Sequence, residues 1–333
     1  MHSVEALGAD LWRITLPLPF RLRNINVYLA RGADGYALID AGIDTPESRD
    51  AFDASLASIG VRADEIVRVY VTHMHPDHIG MSGRRAGSGA AIHLMRGEER
   101  RARYVWSSQP LDAWVTFLQS HGLARDAAAG VTEAAARLRP SVNLPERFSP
   151  LEDGDVVAFG DRHVRVVWTP GHSDFHYVLV DDANRAIFAG DHLLPTITPN
   201  IGVYPECRPN PLDEFLRSFE RFAGVGGYTV YPAHGDPYGA LEQRVHEFKL
   251  HHSERLQGVW DCVGNGADAG VSAADVVTHF WGDRLNAHET RFALVEVAAH
   301  LEYLRLAGDL SSDIRGGVIR YTPLRAAPTL PIT

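Results

Sequence analysis

Two cysteines, Cys207 and Cys262, are all that this 333-residue chain contains, and they lie far apart. A disulfide framework and a cysteine-rich zinc ribbon are both excluded. Nothing in the sequence asks for an oxidising compartment. There is no apolar run long enough to read as a membrane-spanning helix. The start, Met1-His2-Ser3-Val4-Glu5, lacks the basic and apolar regions of a signal peptide, so the expected location is cytoplasmic. Basic charge is scarce: 32 Lys plus Arg stand against 42 Asp plus Glu, a formal net charge of −10. A protein that coats nucleic acid needs a basic face, and this balance argues against one. Internal repeats and low-complexity tracts are missing. So are the Walker and dinucleotide glycine patterns; Gly83 to Gly89 has the spacing of neither.

What remains is an ordinary globular composition, 45% hydrophobic and 22% charged, with length for about two domains. Leu11 to Leu16, Asn26 to Ala30 and Tyr36 to Asp40 read as short strands. Thr45-Pro46-Glu47 opens a helix, with Thr as N-cap and Pro at the first position. The helix carries Phe52 and Leu56 and stops at Gly60. Val67 to Val71 is a β-branched run of the buried-strand kind. Residues 97–140 have helical composition and read as an insertion. Strands return at Val156 to Phe159, His163 to Trp168, Tyr177 to Val180, Ala186 to Ala189 and Tyr228 to Tyr231. Beyond about residue 240 the chain turns helical: Leu241 to Trp260, a capped helix opened by Ser272 and Asp275, and His288 to Leu306. On the last, Phe292, Val295, Ala299 and Tyr303 form one stripe. Two short runs around Gly316-Gly317 then suggest a hairpin, which makes the tail a winged-helix pattern. The expected division is a domain over 1–240, with its insertion, and a helical domain over 241–333.

The unusual count is 17 histidines, and their placement matters more than their number. His73, His75, Asp77 and His78 fall within six residues, directly after the buried strand. Alternation puts His73 and His75 on one side of an extended segment, and Pro76 then turns the chain. Imidazole and carboxylate donors suit zinc and, less specifically, iron or manganese. Three further segments repeat the theme: Thr169-Pro170-Gly171-His172, Gly190-Asp191-His192 and Tyr231-Pro232-Ala233-His234-Gly235. Each sets a ligand-type side chain after a strand and beside Gly or Pro, as a sheet does when several strand ends serve one point. The bland alternative is four unrelated histidine-bearing loops, which does not account for their shared placement. His176, four residues after His172, is open between an orienting residue and a strand edge, and His192 between lining the site and capping a loop, while His93, His163 and the histidines of the tail read as strand, core or surface residues.

With these motifs in this order, residues 10–240 resemble the metallo-β-lactamase fold superfamily. The resemblance implies an α/β fold, a four-layer αββα sandwich of two mixed sheets with helices outside, carrying a winged-helix-like C-terminal domain. It implies two metal ions, Zn2+ first and Fe or Mn as substitutes. His73, His75 and His172 would bind one, Asp77, His78 and His234 the other, and Asp191 would bridge them. Asp77 and Asp191 are the catalytic carboxylates on this reading. Asp40 resembles the acid that orients a ligand histidine, with a plain turn acid as its alternative.

An acid at the bridging position together with His78 resembles the glyoxalase II-like and lactonase-like hydrolases. Antibiotic-hydrolysing members lack that acid. The expected reaction is hydrolysis of a thioester or lactone, with hydroxide held at the metals attacking the carbonyl. The enzymatic alternative is a phosphodiesterase or endoribonuclease, since one such enzyme carries a similar tail. The other alternative is a partner-binding protein with structural metal. Trp106, Trp114 and Tyr204 are candidates for an apolar substrate pocket. The expected partner is a small molecule, with no membrane, no nucleic acid, and a homo-oligomer left open. Arg96, Arg100, Arg101 and Arg103 are the features that could hold a phosphate or a coenzyme A tail, or else form a solvated helix face paired with Glu98 and Glu99.

Overall fold

The computed structural model describes residues 3–266 and 269–331. Its first sheet follows chain order: β1 (Ser3–Ala6), β2 (Leu11–Pro17), β3 (Asn24–Gly32), β4 (Gly35–Ile39), β5 (Ile66–Tyr70), β6 (Ala91–Met95) and β7 (Ser149–Leu151). Strands β1 to β4 pair antiparallel and β4 to β7 parallel. Parallel neighbours need crossovers, and helices supply them. Helix α1 (Pro46–Ser58) links β4 to β5, and α2 (Pro76–Ile79) and α3 (Ser82–Gly87) link β5 to β6. The expected start of α1 is present: the Thr45 hydroxyl accepts from the Ser48 N–H, with Pro46 in the first turn. The second sheet has the order β12-β11-β10-β9-β8. Its strands are β8 (Val156–Phe159), β9 (Arg162–Trp168), β10 (Tyr177–Asp181), β11 (Ala186–Gly190) and β12 (Thr229–Pro232). Only the β11–β12 pair among them is parallel.

Strand alternation decides which residues fill which layer. Tyr28, Ile39 and Tyr70 of the first sheet pack with Phe159, Val166, Tyr177 and Phe188 of the second in one buried layer. Their chain neighbours Val27, Leu38 and Val69 face the other way, onto Phe52 and Leu56 of α1. Each such side chain contributes about 1.5–3 kcal/mol on burial. The sheets therefore hold their strand ends in a fixed relation, and the candidate ligands follow those ends.

The chain divides into two compact units. One comprises the chain up to Ser108, Leu138–Pro199 and Arg221–Glu242, and holds both sheets. The other comprises Gln109–Arg137, Asn200–Glu220 and the chain from Gln243 on. Residues 97–140 are helical as expected, with α4 (Glu98–Arg103), α5 (Leu111–Ser120) and α6 (Arg125–Ala136). The second unit contains α5, α6, α7 (Pro211–Ser218), most of α8 (Leu241–Asn265), α9 (Ala273–Trp281), α10 (Ala287–Leu306) and the hairpin β13 (Leu310–Arg315) and β14 (Val318–Pro323). Within it, α10 packs on α6, α7, α9 and β13, and α5 lies on α6 and β14. The Ala274 N–H donates to the His121 carbonyl at 2.9 Å. Segments 109–137 and 200–220, which the sequence reading places with residues 1–240, thus share a unit with the tail. The stripe on α10 is also broader than its period suggests. Leu294, Val297, Ala298, Leu301 and Leu304 are buried along with Val295 and Ala299, while Phe292 and Tyr303 are only half-buried. A helix with neighbours on several sides has little polar face left.

Two tail histidines, His252 and His300, are fully buried, with His252 Nδ1 3.2 Å from His300 Nε2. His300 Nδ1–H donates to the Glu296 carbonyl at 2.7 Å. Burial pushes His300 from 6.5 down to about 3, and it lowers His252 well below the usual value, helped by the neighbouring His300. The unfolded chain therefore takes up these protons at higher pH than the folded chain. The associated stability is complete above pH 6.5 and drains away as pH falls towards 3. For His300 alone the loss at about pH 5 is about 2 kcal/mol. The urea midpoint of metal-free His300→Leu protein should fall less steeply than that of the parent between about pH 6.5 and pH 5. Parallel slopes would remove His300 from the account.

Candidate metal centre

The first ligand segment begins where β5 ends. His75 is still extended, and Pro76 does not merely break the strand: it opens α2, a single turn that carries Asp77 and His78. His172 follows β9, Asp191 follows β11, and His234 follows β12. Gly190 allows the close approach that this needs. Its φ is +50°, and a Cβ there would lie 2.7 Å from His176 Nε2 and 2.9 Å from Thr72 Oγ1.

Three sets of donor atoms converge among the described residues: His73, His75 and His172; His73, His78 and Asp191; and Asp77, His78 and His234. His75 Nδ1 lies 2.9 Å from both His73 Nε2 and His172 Nε2. His234 Nε2 is 3.3 Å from Asp77 Oδ2, and His78 Nε2 is 3.8 Å from the same oxygen. Asp191 faces both groups. Its Oδ2 is 3.4 Å from His172 Nε2, and its Oδ1 is 3.4 Å from both His78 Nε2 and His234 Nε2. All seven predicted ligands are therefore brought to one place.

The outer faces of these groups are tied down. His78 Nδ1–H donates to Asp40 Oδ2 at 2.7 Å, and His234 Nδ1–H donates to the Asn24 carbonyl at 2.8 Å. Asp40 also accepts from the Thr72 N–H and hydroxyl. It sits in a left-handed conformation, φ +61°, which Asp tolerates better than most residues. Beneath the centre, His176 Nε2 accepts from the Asp191 N–H at 3.3 Å, while its Nδ1 bonds the Thr169 hydroxyl at 2.8 Å.

Buried polar groups are normally paired, yet His78 Nε2, His234 Nε2 and Asp191 Oδ1 are buried with no hydrogen-bond partner. The two imidazoles are fixed by their other ring nitrogen, and Asp191 by its backbone N–H. Oxygen and imidazole donors left over in this way fit a divalent metal. Electrostatics agree with a site prepared for cations. Burial, then the imidazoles of His78, His75 and His172, lower His73 far below its usual value. Burial, then His172, does the same to His75. Burial opposes ionisation of Asp191, but His234 and His78 outweigh it and hold the carboxyl well below the usual range. Burial likewise disfavours charge on His78, yet Asp40, Asp191 and Asp77 win and raise it.

The metallo-beta-lactamase superfamily pattern matches residues 20–234. The chain belongs to that superfamily. A second pattern, the metallo-beta-lactamase-like C-terminal domain, matches residues 261–324. The crystal structure of a metallo-beta-lactamase family protein from Thermus thermophilus is 32% identical, with a TM-score of 0.85 over 96% of this chain and 100% of that one. Probable metallo-hydrolase YqjP of Bacillus subtilis (strain 168) is 24% identical over 95% of this chain and 98% of its own length. A protein of Emericella nidulans named atrochrysone carboxyl ACP thioesterase is 22% identical over 90% of this chain and 80% of its own. The chain is accordingly a metallo-hydrolase of this superfamily, with the superfamily's α/β sandwich and clusters able to bind metal.

The pocket candidates fall in two places. Trp106 is half-buried in the first unit, and its Nε1–H donates to the Met74 carbonyl, between His73 and His75, at 2.8 Å. Trp114 and Tyr204 lie in the second unit, with ring centroids 5.9 Å apart. The arginine run is a solvated face only in part: Arg96 and Arg100 are exposed and Arg103 pairs with Glu99 as expected, but two members turn inward. Glu98 is fully buried and Arg101 nearly so. Arg101 approaches Asp174 at 3.6 Å, Arg103 pairs with Glu99 at 2.8 Å, and Arg96 pairs with Glu152. Glu98 is the neighbour of the centre that the sequence reading missed, and His176, open between an orienting residue and a strand edge, contacts the Asp191 backbone. Both stand within a few residues of a strand end, but the charged run around Glu98 has the composition of an exposed helix and masks that signal.

Asp191→Asn should retain less metal after dialysis than the parent, because an amide is a poorer donor and neutralises no charge. Normal metal content in that variant would place Asp191 outside the centre.

Proposed function

We propose that this chain is a dinuclear metal-dependent hydrolase that cleaves a carbonyl ester, a thioester first and a lactone second. The observation that carries this reading is the orientation of Asp191, whose two oxygens face two different donor groups. On this reading His73, His75 and His172 hold one ion and Asp77, His78 and His234 hold the other, with Asp191 serving both. Zinc is the favoured ion for so many imidazoles, with iron or manganese as substitutes. When bound, such a pair supplies Lewis acidity towards a carbonyl oxygen and lowers the pKa of water.

The chain's own residues do the rest. Asp77 and Asp191 bring two negative charges to an enclosed site, which suits two cations and five neutral imidazoles. Asp40 fixes the tautomer of His78 so that Nε2 faces inward. His176 holds the Asp191 backbone, and with it the direction of the carboxylate. The burial of the donors limits water to what the centre itself admits.

Two lines favour a carbonyl over a phosphodiester. One relative is named as an acyl carrier thioesterase. The arginines that would have gripped a phosphate are also mostly committed to Asp174, Glu99 and Glu152, and a net charge of −10 repels a polyanion. We read the tail, three helices followed by a hairpin, as a packing domain rather than a nucleic-acid reader. Its long helix α10 is used up in contacts within its own unit.

Metal analysis of active, unchelated protein should give close to two ions per chain. With metal-replete enzyme, kcat/KM should be highest on the thioester among matched thioester, lactone and phosphodiester substrates. A phosphodiester preference of about tenfold, about 1.4 kcal/mol of transition-state binding, would replace this reading with the ribonuclease one.

A further inference from the structure

Glu98 is fully buried at the start of α4, three residues beyond the end of β6. A carboxylate without solvent is costly unless its hydrogen bonds repay it. Its Oε1 accepts two: from the Met74 N–H at 2.9 Å and from the Ser173 hydroxyl. Met74 is the residue between His73 and His75, and Ser173 is the residue after His172. One oxygen atom therefore ties together the two loops that carry the first imidazole group.

The same segment grips these loops at two more points. One helical turn after Glu98, Arg101 approaches the buried carboxylate of Asp174, next to Ser173, at 3.6 Å. Trp106, just past the end of α4, donates to the Met74 carbonyl at 2.8 Å. The N–H and the C=O of Met74 are thus both held by side chains of one short stretch. A buried loop residue has no ladder partner for these groups and must find partners elsewhere. Holding them fixes the peptide planes on either side of Met74, and so the directions in which His73 and His75 leave the backbone.

We propose that Glu98 is a positioning residue of the metal centre, a buried strut that ties the Met74 and Ser173 loops together and holds His73, His75 and His172 in convergence. This rests on the metal-centre reading above. It differs from the role of Asp40, which acts on the other group through His78.

The test uses the full-length protein with Co2+ as the bound probe. Affinity is read by competition with a chelator, geometry by the ligand-field absorption bands, and fold by the melting temperature of the metal-free form. Glu98→Ala should keep the metal-free fold, weaken Co2+ binding by about tenfold or more and alter the bands, whereas Glu98→Gln, which keeps an oxygen for both donors, should stay within about threefold of the parent. Ser173→Ala, which removes one donor and leaves Glu98 in place, should lie between them, and it carries the test if Glu98→Ala does not fold. Parent-like affinity and bands in Glu98→Ala, or in Ser173→Ala where it stands alone, would overturn the strut while leaving the metal-centre reading intact. Glu98→Gln as weak as Glu98→Ala would also overturn it, since charge rather than the tie would then be what matters. A parent protein that binds no Co2+ would overturn the metal-centre reading and this inference with it.

Discussion

Two carboxylates, Asp77 and Asp191, are held out of solvent against the same cluster of imidazoles, and the rest of the first unit is arranged around that fact. Buried like charges repel and buried single charges are poorly solvated. Here the surrounding imidazoles keep Asp191 ionised, as its strongly lowered pKa records. The protein meets the cost by supplying fixed donors and acceptors on every outer face: Asp40 behind His78, the Asn24 carbonyl behind His234, and His176 behind the Asp191 backbone. What is left over points inward. The two sheets matter to this chiefly as a frame, since their shared buried layer sets where each strand stops.

The ligand set is readable in one dimension because each ligand lies within a few residues of a strand end, and strands announce themselves by β-branched and alternating runs. Asp40 is readable for the same reason, standing just past β4. Glu98 is not. Its neighbours in sequence are arginines and another glutamate, which is the composition of an exposed helix. Only the tertiary placement of α4 against the Met74 and Ser173 loops turns it inward. His176 is legible only as a candidate, four residues after His172, because its partner is the backbone of a residue fifteen positions away.

The domain pattern shows the same limit at larger scale. The helices of residues 109–137 are predictable as helices from their composition. Nothing in their own sequence states that their apolar side is shared with α10 and the β14 strand, nearly two hundred residues later. The α10 stripe is misjudged for the complementary reason. A period of 3.6 reports one buried face, and a helix packed by α6, α7, α9 and β13 has more than one.

That interleaving bears on how the chain is made. The first unit's strands are complete once residue 242 has been synthesised, but the second unit's core is assembled from two segments inside that stretch, 109–137 and 200–220, and from the chain after it. Helices α5 and α6 emerge from the ribosome long before α10 exists to receive them. Trp114, Leu118 and Val131, all buried in the finished protein, must wait through the synthesis of more than a hundred residues with their apolar side uncovered. The sandwich can form during synthesis, and the second unit closes only once α10 and the hairpin have been made. Its assembly is the late, long-range step at which a nascent molecule is most exposed to aggregation and most in need of chaperones.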